Sequence, residues 1–271
     1  MKFEGALHKM QVKLADPVQY QLNLGGSSVN LHEYLGKRLR LTSLQAIHCI
    51  HCGRKTSKSF SQGYCYPCFR SLAQCDICIV LPEKCHYDQG TCREPEWGED
   101  YCLQDHYIYL SNTSGVKVGI TRHTQLPTRW IDQGAVQALA ILKVSKRYYS
   151  GLIETVFKQF LNDKTNWRSM LKNDYSEVDL LAVFQEVWPK VKQQLNDELL
   201  DDLTVIAETE AQQEINFPAL KYPEKITSFN LDKNPVIEDT LMAIKGQYLI
   251  FEQGVINIRK YAGFEVSLEI L

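Results

Sequence analysis

Apolar and polar residues alternate over 2–14 and 18–31, through Phe3, Ala6, Val12 and Leu14, then Leu22, Leu24, Val29 and Leu31. That period of two is the signature of strands with one buried face. Gly25-Gly26-Ser27-Ser28 interrupts the second run as a hairpin turn. Lys37-Arg38-Leu39-Arg40-Leu41 is a further short strand, with Lys37, Arg38 and Arg40 on a solvated face. Residues 1–46 therefore predict three or four strands. Tyr107–Leu110 and Val116–Thr121 flank the turn formers 111–115 and predict a β-hairpin. Pro127 starts a short helix that Gly134 ends. Residues 135–144 read as a buried strand or a short helix. Leu152, Ile153, Val156, Phe157, Phe160 and Leu161 have helical spacing, with Ser150 as N-cap. Residues 177–213 are helical, with a kink or restart at Pro189. Three prolines make 214–240 extended, and 241–271 returns to a β pattern with turns at Gly254 and Gly263. A β start and a β end predict an α+β fold. In it the terminal segments 1–46 and 214–271 pair into one barrel and everything between is inserted.

Composition narrows the class. With 271 residues, 44% of them apolar, the chain can form one large domain or two to three small ones. No run approaches 18 uncharged apolar residues, so no membrane association is expected. No hydrophobic signal segment is visible at the start, which predicts a cytoplasmic location. The net charge of −2 excludes a globally basic nucleic-acid binder. It conceals an uneven distribution, however: residues 107–173 carry ten cations against three acids, +7, whereas 174–235 carry five against thirteen, −8. The basic block attracts phosphate unless the acidic block neutralises it within the fold.

All nine cysteines fall between 49 and 102. Cys49, Cys65 and Cys75 each open a C-x-x-C pair, the spacing that lets two thiolates of a tight knuckle reach one ion at about 2.3 Å. Gly53 and Gly63 suit the required turns. An odd count without a signal segment argues against a disulfide framework, and three pairs in so short a stretch argue against a single redox motif. Structural zinc is the expectation, two ions per chain, with iron–sulfur as the alternative. The simplest grouping is Cys49, Cys52, Cys65 and Cys68 for one ion and Cys75, Cys78, Cys85 and Cys92 for the other. Cross-braced pairing satisfies the spacing equally well, and Cys102, His86 and His106 are substitute ligands. His48 and His51 flank the first knuckle as surface or outer groups, and His123 lies in a polar loop. Residues 47–106 thus form a metal module in which coordination replaces a hydrophobic core.

The basic block has an ordered set of motifs: Tyr107-Ile108-Tyr109, Lys117-Val118-Gly119, Arg129 within Pro127-Thr128-Arg129-Trp130, Glu154 within Gly151-Leu152-Ile153-Glu154, and Asn166 within Thr165-Asn166-Trp167-Arg168. Over about 65 residues this order resembles the GIY-YIG nuclease domain, in the branch whose second motif opens with Lys. The cysteine-rich module leading into His-Tyr-Ile-Tyr-Leu and Val-Gly-Ile-Thr-Arg also resembles a bacterial family catalogued as a domain of unknown function. The organisation expected is then an N-terminal β segment (1–46), the zinc module (47–106), a GIY-YIG-like domain (107–173), an acidic helical region (174–213) and a C-terminal β segment (214–271).

The resemblance implies phosphodiester hydrolysis. Glu154 would hold one Mg²⁺ or Mn²⁺, Arg129 would neutralise charge developing on the phosphate, and Tyr109 would orient or deprotonate water. Tyr107 stands where Gly is usual and Lys117 where Tyr is usual. A lysine amine stays protonated unless desolvated, which makes Lys117 a phosphate clamp rather than a base. Tyr107, Thr121, Arg122, Asn166 and Arg168 are the remaining candidate nucleic-acid contacts. Ordinary roles compete: cross-strand packing for the tyrosines, an i,i+4 pair for Glu154 and Lys158, and stacking of Arg129 on Trp130. Three functions stay open at this point: a nuclease, a non-catalytic DNA or RNA binder using the same groove, and an interaction adaptor presenting the acidic helices.

Overall fold

The computed structural model describes residues 1–162 and 164–271 and shows a mixed α+β fold with three antiparallel sheets. The largest sheet joins the two ends of the chain. Its strand order is Lys2–Ala6, Phe264–Ile270, Arg38–His48, Val236–Lys245, Tyr248–Phe251 and Val255–Asn257, with Lys55–Thr56 added beside Arg38–His48. The basic strand face seen in the sequence has partners here. Arg40 stands opposite both Glu238 and Glu269 in the register and bonds them at 2.7 and 3.4 Å, while Leu39 and Leu41 on the other face are buried.

The terminal segments do pair, but not into the expected barrel. The edge strands Lys2–Ala6 and Val255–Asn257 have no partnership with each other. A second layer instead packs over the sheet at Gly5, where an added Cβ would stand 2.2 Å from the Gly25 nitrogen. The hairpin turn at Gly25-Gly26 is pressed onto the edge strand there. That layer is a three-stranded sheet of Gln11–Lys13, Gln19–Leu24 and Ser27–Asn30. Gly25 and Gly26 have φ of +55° and +83°, the paired left-handed residues that match a two-residue turn to strand twist.

The third sheet orders Thr204–Val205, Gln137–Val144, His106–Asn112 and Val116–Arg122, with Gln213–Glu214 also beside Gln137–Val144. Alternation divides its side chains between two cores. Tyr109, Ala138 and Ala140 join the core shared with the other two sheets. Ile108, Leu110, Leu139 and Ile141 face the helices Arg147–Phe157 and Leu180–Lys192. Residues 137–144 are thus the strand of the two readings.

Two helix expectations need correction. The helix expected over 150–161 begins at Arg147, and Ser150 is inside it, donating its hydroxyl to the Arg147 carbonyl at 2.7 Å rather than capping. Pro189 does not interrupt Leu180–Lys192; the restart comes at Asn196, whose side chain caps Asp197–Asp202. The acidic region is the cover of the basic block's own sheet. Among the described residues no helix is long and apolar enough to cross a membrane.

Candidate functional site

Val116–Arg122 is an outer strand of its sheet, and a cavity of about 310 Å³ opens along it. The strand presents Lys117, Gly119 and Thr121 on one face, opposite Ser111, Tyr109 and Tyr107 in the register. The short helix Thr128–Asp132 brings Arg129, and the helix Arg147–Phe157 brings Arg147 and Glu154. Ile79, Val80 and Pro82 of the cysteine module form one wall. Lys9 and Arg259 enter from the two ends of the chain. Six cations therefore meet two acids, Glu154 and Asp132, a local formal charge of +4.

The partners of these groups define what is available. Asp132 is held by Lys9 and by the Gln247 amide at 2.8 Å. Glu154 is only 8% exposed and pairs with Lys158 at 3.1 Å, so the ordinary i,i+4 contact foreseen for it exists within the cavity wall. Lys117 is buried and donates to the Thr165 hydroxyl at 2.7 Å. Burial lowers the affinity of Arg147, Arg259 and Arg122 for their protons below the usual arginine range, the mark of cations that gain from an anion. Tyr109 lies behind Gly119, fully buried, and donates to the Gln133 side chain at 3.0 Å. Burial raises its phenol above the ordinary value, against the pull of the nearby Arg129 guanidinium.

The fold thus gathers Lys117, Thr121, Arg122, Arg129 and Glu154 around one hollow, with Tyr109 directly behind it. Three other candidates lie elsewhere. Tyr107 packs its ring near His123. Asn166 caps the helix Trp167–Lys172 through its side chain, and Arg168 lies over the Trp167 ring. Sequence reasoning did not single out Lys9, Arg147 or Arg259. Nothing in an isolated basic residue announces that distant strands will carry it to a shared cavity.

The first cysteine group assembles as the spacing predicts. The sulfurs of Cys49, Cys52, Cys65 and Cys68 all lie within 4.8 Å of one another, Cys52 and Cys65 at 3.7 Å. Burial pushes the Cys49 thiol up, but hydrogen bonds from the Cys52, Cys65 and His51 backbone outweigh it and hold the thiol at about 6. A four-thiol cluster, with Cys49, Cys65 and Cys68 buried and Cys52 exposed, is consistent with one zinc site. Cys75 lies in the apolar surround of this cluster. A second possible group is Asp76, Cys78 and His86. His48 bonds Glu265 at 3.0 Å, His51 is exposed, and His106 is buried with its Nδ1 on the Gln104 carbonyl at 2.8 Å.

A family model matches residues 36–266, and its description reads only "Protein of unknown function (DUF2797)", without reference to a GIY-YIG domain. No curated protein and no solved structure matches the chain.

Proposed function

The chain belongs to the DUF2797 family, which brings no activity with it, and we propose from the geometry that it is a nucleic-acid-associated protein whose basic cavity grips a phosphodiester group and cleaves it with a divalent metal. The observation that carries this reading is the convergence of Lys117, Arg122, Arg129, Arg147 and Arg259 on one cavity with two carboxylates in its wall, Asp132, which Lys9 and Gln247 hold, and Glu154. A planar guanidinium presents paired donors that match phosphate oxygens. Arginines already partly desolvated lose little further hydration when the anion arrives.

Glu154 fits a hard cation as its one protein carboxylate, the rest of the shell being water and phosphate oxygen. Mg²⁺ or Mn²⁺ there would polarise the phosphate and stabilise the leaving oxygen. Arg129 is placed to neutralise charge on the phosphate. Tyr109 supports Arg129 and Gln133 from behind, its raised pKa and burial making it a positioning group. In this reading the zinc module supplies a wall of the cavity, and the resemblance of the motif order to GIY-YIG nucleases agrees with it.

One observation favours a second reading. Glu154 is engaged by Lys158, as a carboxylate in a site that binds phosphate without hydrolysing it could be. The two separate in one experiment. Wild-type and Glu154→Gln protein are incubated with DNA and RNA in Mg²⁺ or Mn²⁺, and binding and cleavage are both measured. Cleavage lost in the variant with binding retained supports the nuclease. Binding in both proteins with cleavage in neither supports the binder, and no binding at low salt removes both.

A further inference from the structure

Beyond the first cluster, four further cysteines of the module face one space, from positions that no C-x-x-C pair brings together. Cys78, Cys85, Cys92 and Cys102 line a small enclosed void of about 10 Å³, room for one water-sized particle. Cys102 comes from the C-terminal end of the helix Pro95–Tyr101, which closes over the void. The approach is tight at Gly98, where a Cβ would meet the Tyr87 ring at 2.9 Å and the Cys92 sulfur at 3.5 Å.

We infer that Cys78, Cys85, Cys92 and Cys102 bind a second structural metal ion, a tetrathiolate zinc, immediately behind the basic cavity. Four soft donors around an ion-sized space are the closed set expected of structural zinc. The neighbouring polar groups are committed to orienting the loop. One Asp76 oxygen accepts the Cys78 N–H at 3.4 Å and the other pairs with Arg93 at 2.5 Å. His86 uses Nδ1 on the Thr91 hydroxyl at 2.8 Å and turns Nε2 towards the Asp76 carboxylate at 3.6 Å. Asp76 and His86 are outer contacts of the kind that hold ligands in place. Cys75, which the spacing groups with this set, is excluded by its position in the surround of the first cluster.

The ion would also position the phosphate-facing cations. The backbone N–H of Arg147 donates to the Cys102 carbonyl at 2.8 Å, and its guanidinium donates to the Ile79 carbonyl at 2.7 Å. Both carbonyls belong to the segment the ion would clamp, and Arg147, Ile79 and Pro82 line the cavity. The metal assignment stands whether or not that cavity binds nucleic acid.

Metal analysis and zinc X-ray absorption on the full chain test the inference. Folded wild type should hold two zinc ions per chain, with sulfur alone in the averaged first shell. Cys102→Ser should lose one ion and speed amide exchange at 77–85 and 147–150 while sparing 49–68. Cys75→Ser should keep both ions. One ion in folded wild type, nitrogen or oxygen ligands in its first shell, or loss of an ion from Cys75→Ser with none from Cys102→Ser would overturn it. Should Cys102→Ser fail to fold, the wild-type ion count and sulfur shell decide alone.

Discussion

Gly119 and Tyr109 are cross-strand partners, and the phenol occupies the space where a side chain at 119 would begin. A Cβ on Gly119 would stand 2.6 Å from the Tyr109 hydroxyl. The glycine is there for close approach, since its φ is not in the left-handed region. Gly119→Ala should cost about 1–3 kcal/mol, the usual range for overfilling a packed core. It should also displace Tyr109 from Gln133. Thermal or chemical denaturation reads the first effect, and oligonucleotide titration reads the second as weakened binding.

Arg129 lines the cavity beside the buried tyrosine. Arg129→Ala should weaken oligonucleotide binding across all sequences and lower the salt slope of log K by about 0.7–0.9, the loss of one phosphate contact. Fluorescence anisotropy over a salt series measures both. Arg168→Ala, outside the cavity, should leave the slope unchanged.

The cluster of Cys49, Cys52, Cys65 and Cys68, with zinc bound, should be a determinant of folding. Its ligands come from two knuckles linked by the Ile50 N–H on the Gly63 carbonyl at 2.9 Å, with little apolar core around them. Cys65→Ala should abolish zinc binding at that site and unfold 49–68, because binding energy at such a site is folding energy. Zinc counting together with hydrogen exchange over this segment checks it. Exchange there that matches wild type after zinc loss would refute it.

Lys245 is fully buried, donates to the Asn173 side chain at 2.6 Å and faces the rings of Phe217, Tyr222 and Tyr175 at 5.3, 5.6 and 5.9 Å. Burial lowers its pKa to about 7 from 10.5. Between those values the unfolded chain binds more protons than the native one, so stability should rise as pH climbs from about 7 towards 10.5. The gain should be on the order of 3 kcal/mol, since the ring faces offset part of the burial cost. Denaturant unfolding of wild type and Lys245→Met over this pH range tests it, and the rise should be smaller in the variant.

Local features were legible where the chemistry is local. The Gly25-Gly26 turn, the hairpin around 111–115 and the four-thiol cluster of Cys49, Cys52, Cys65 and Cys68 all depend on residues a few positions apart. So does the alternation that sets Lys117, Gly119 and Thr121 on one face. The barrel was misread because sheet closure depends on which distant strands meet, and the edge strands Lys2–Ala6 and Val255–Asn257 do not pair. Ser150 was misread because a small polar residue suits a helix interior as well as its start once its hydroxyl finds the Arg147 carbonyl. Asn166, expected as a nucleic-acid contact, uses its side chain to cap a helix. Lys9, Arg147 and Arg259 left no local trace, since only the tertiary fold makes them neighbours.

Lys9 and Arg259 reach the hollow from opposite ends of the polypeptide. Their mutual repulsion with the other four cations is therefore felt only once the chain has closed a loop of some 250 residues. The last docking step gathers like charges, and an anion relieves it. Phosphate or sulfate in the buffer should then behave as a folding partner, shifting the melting temperature upward in proportion to how much of the assembled native state it captures.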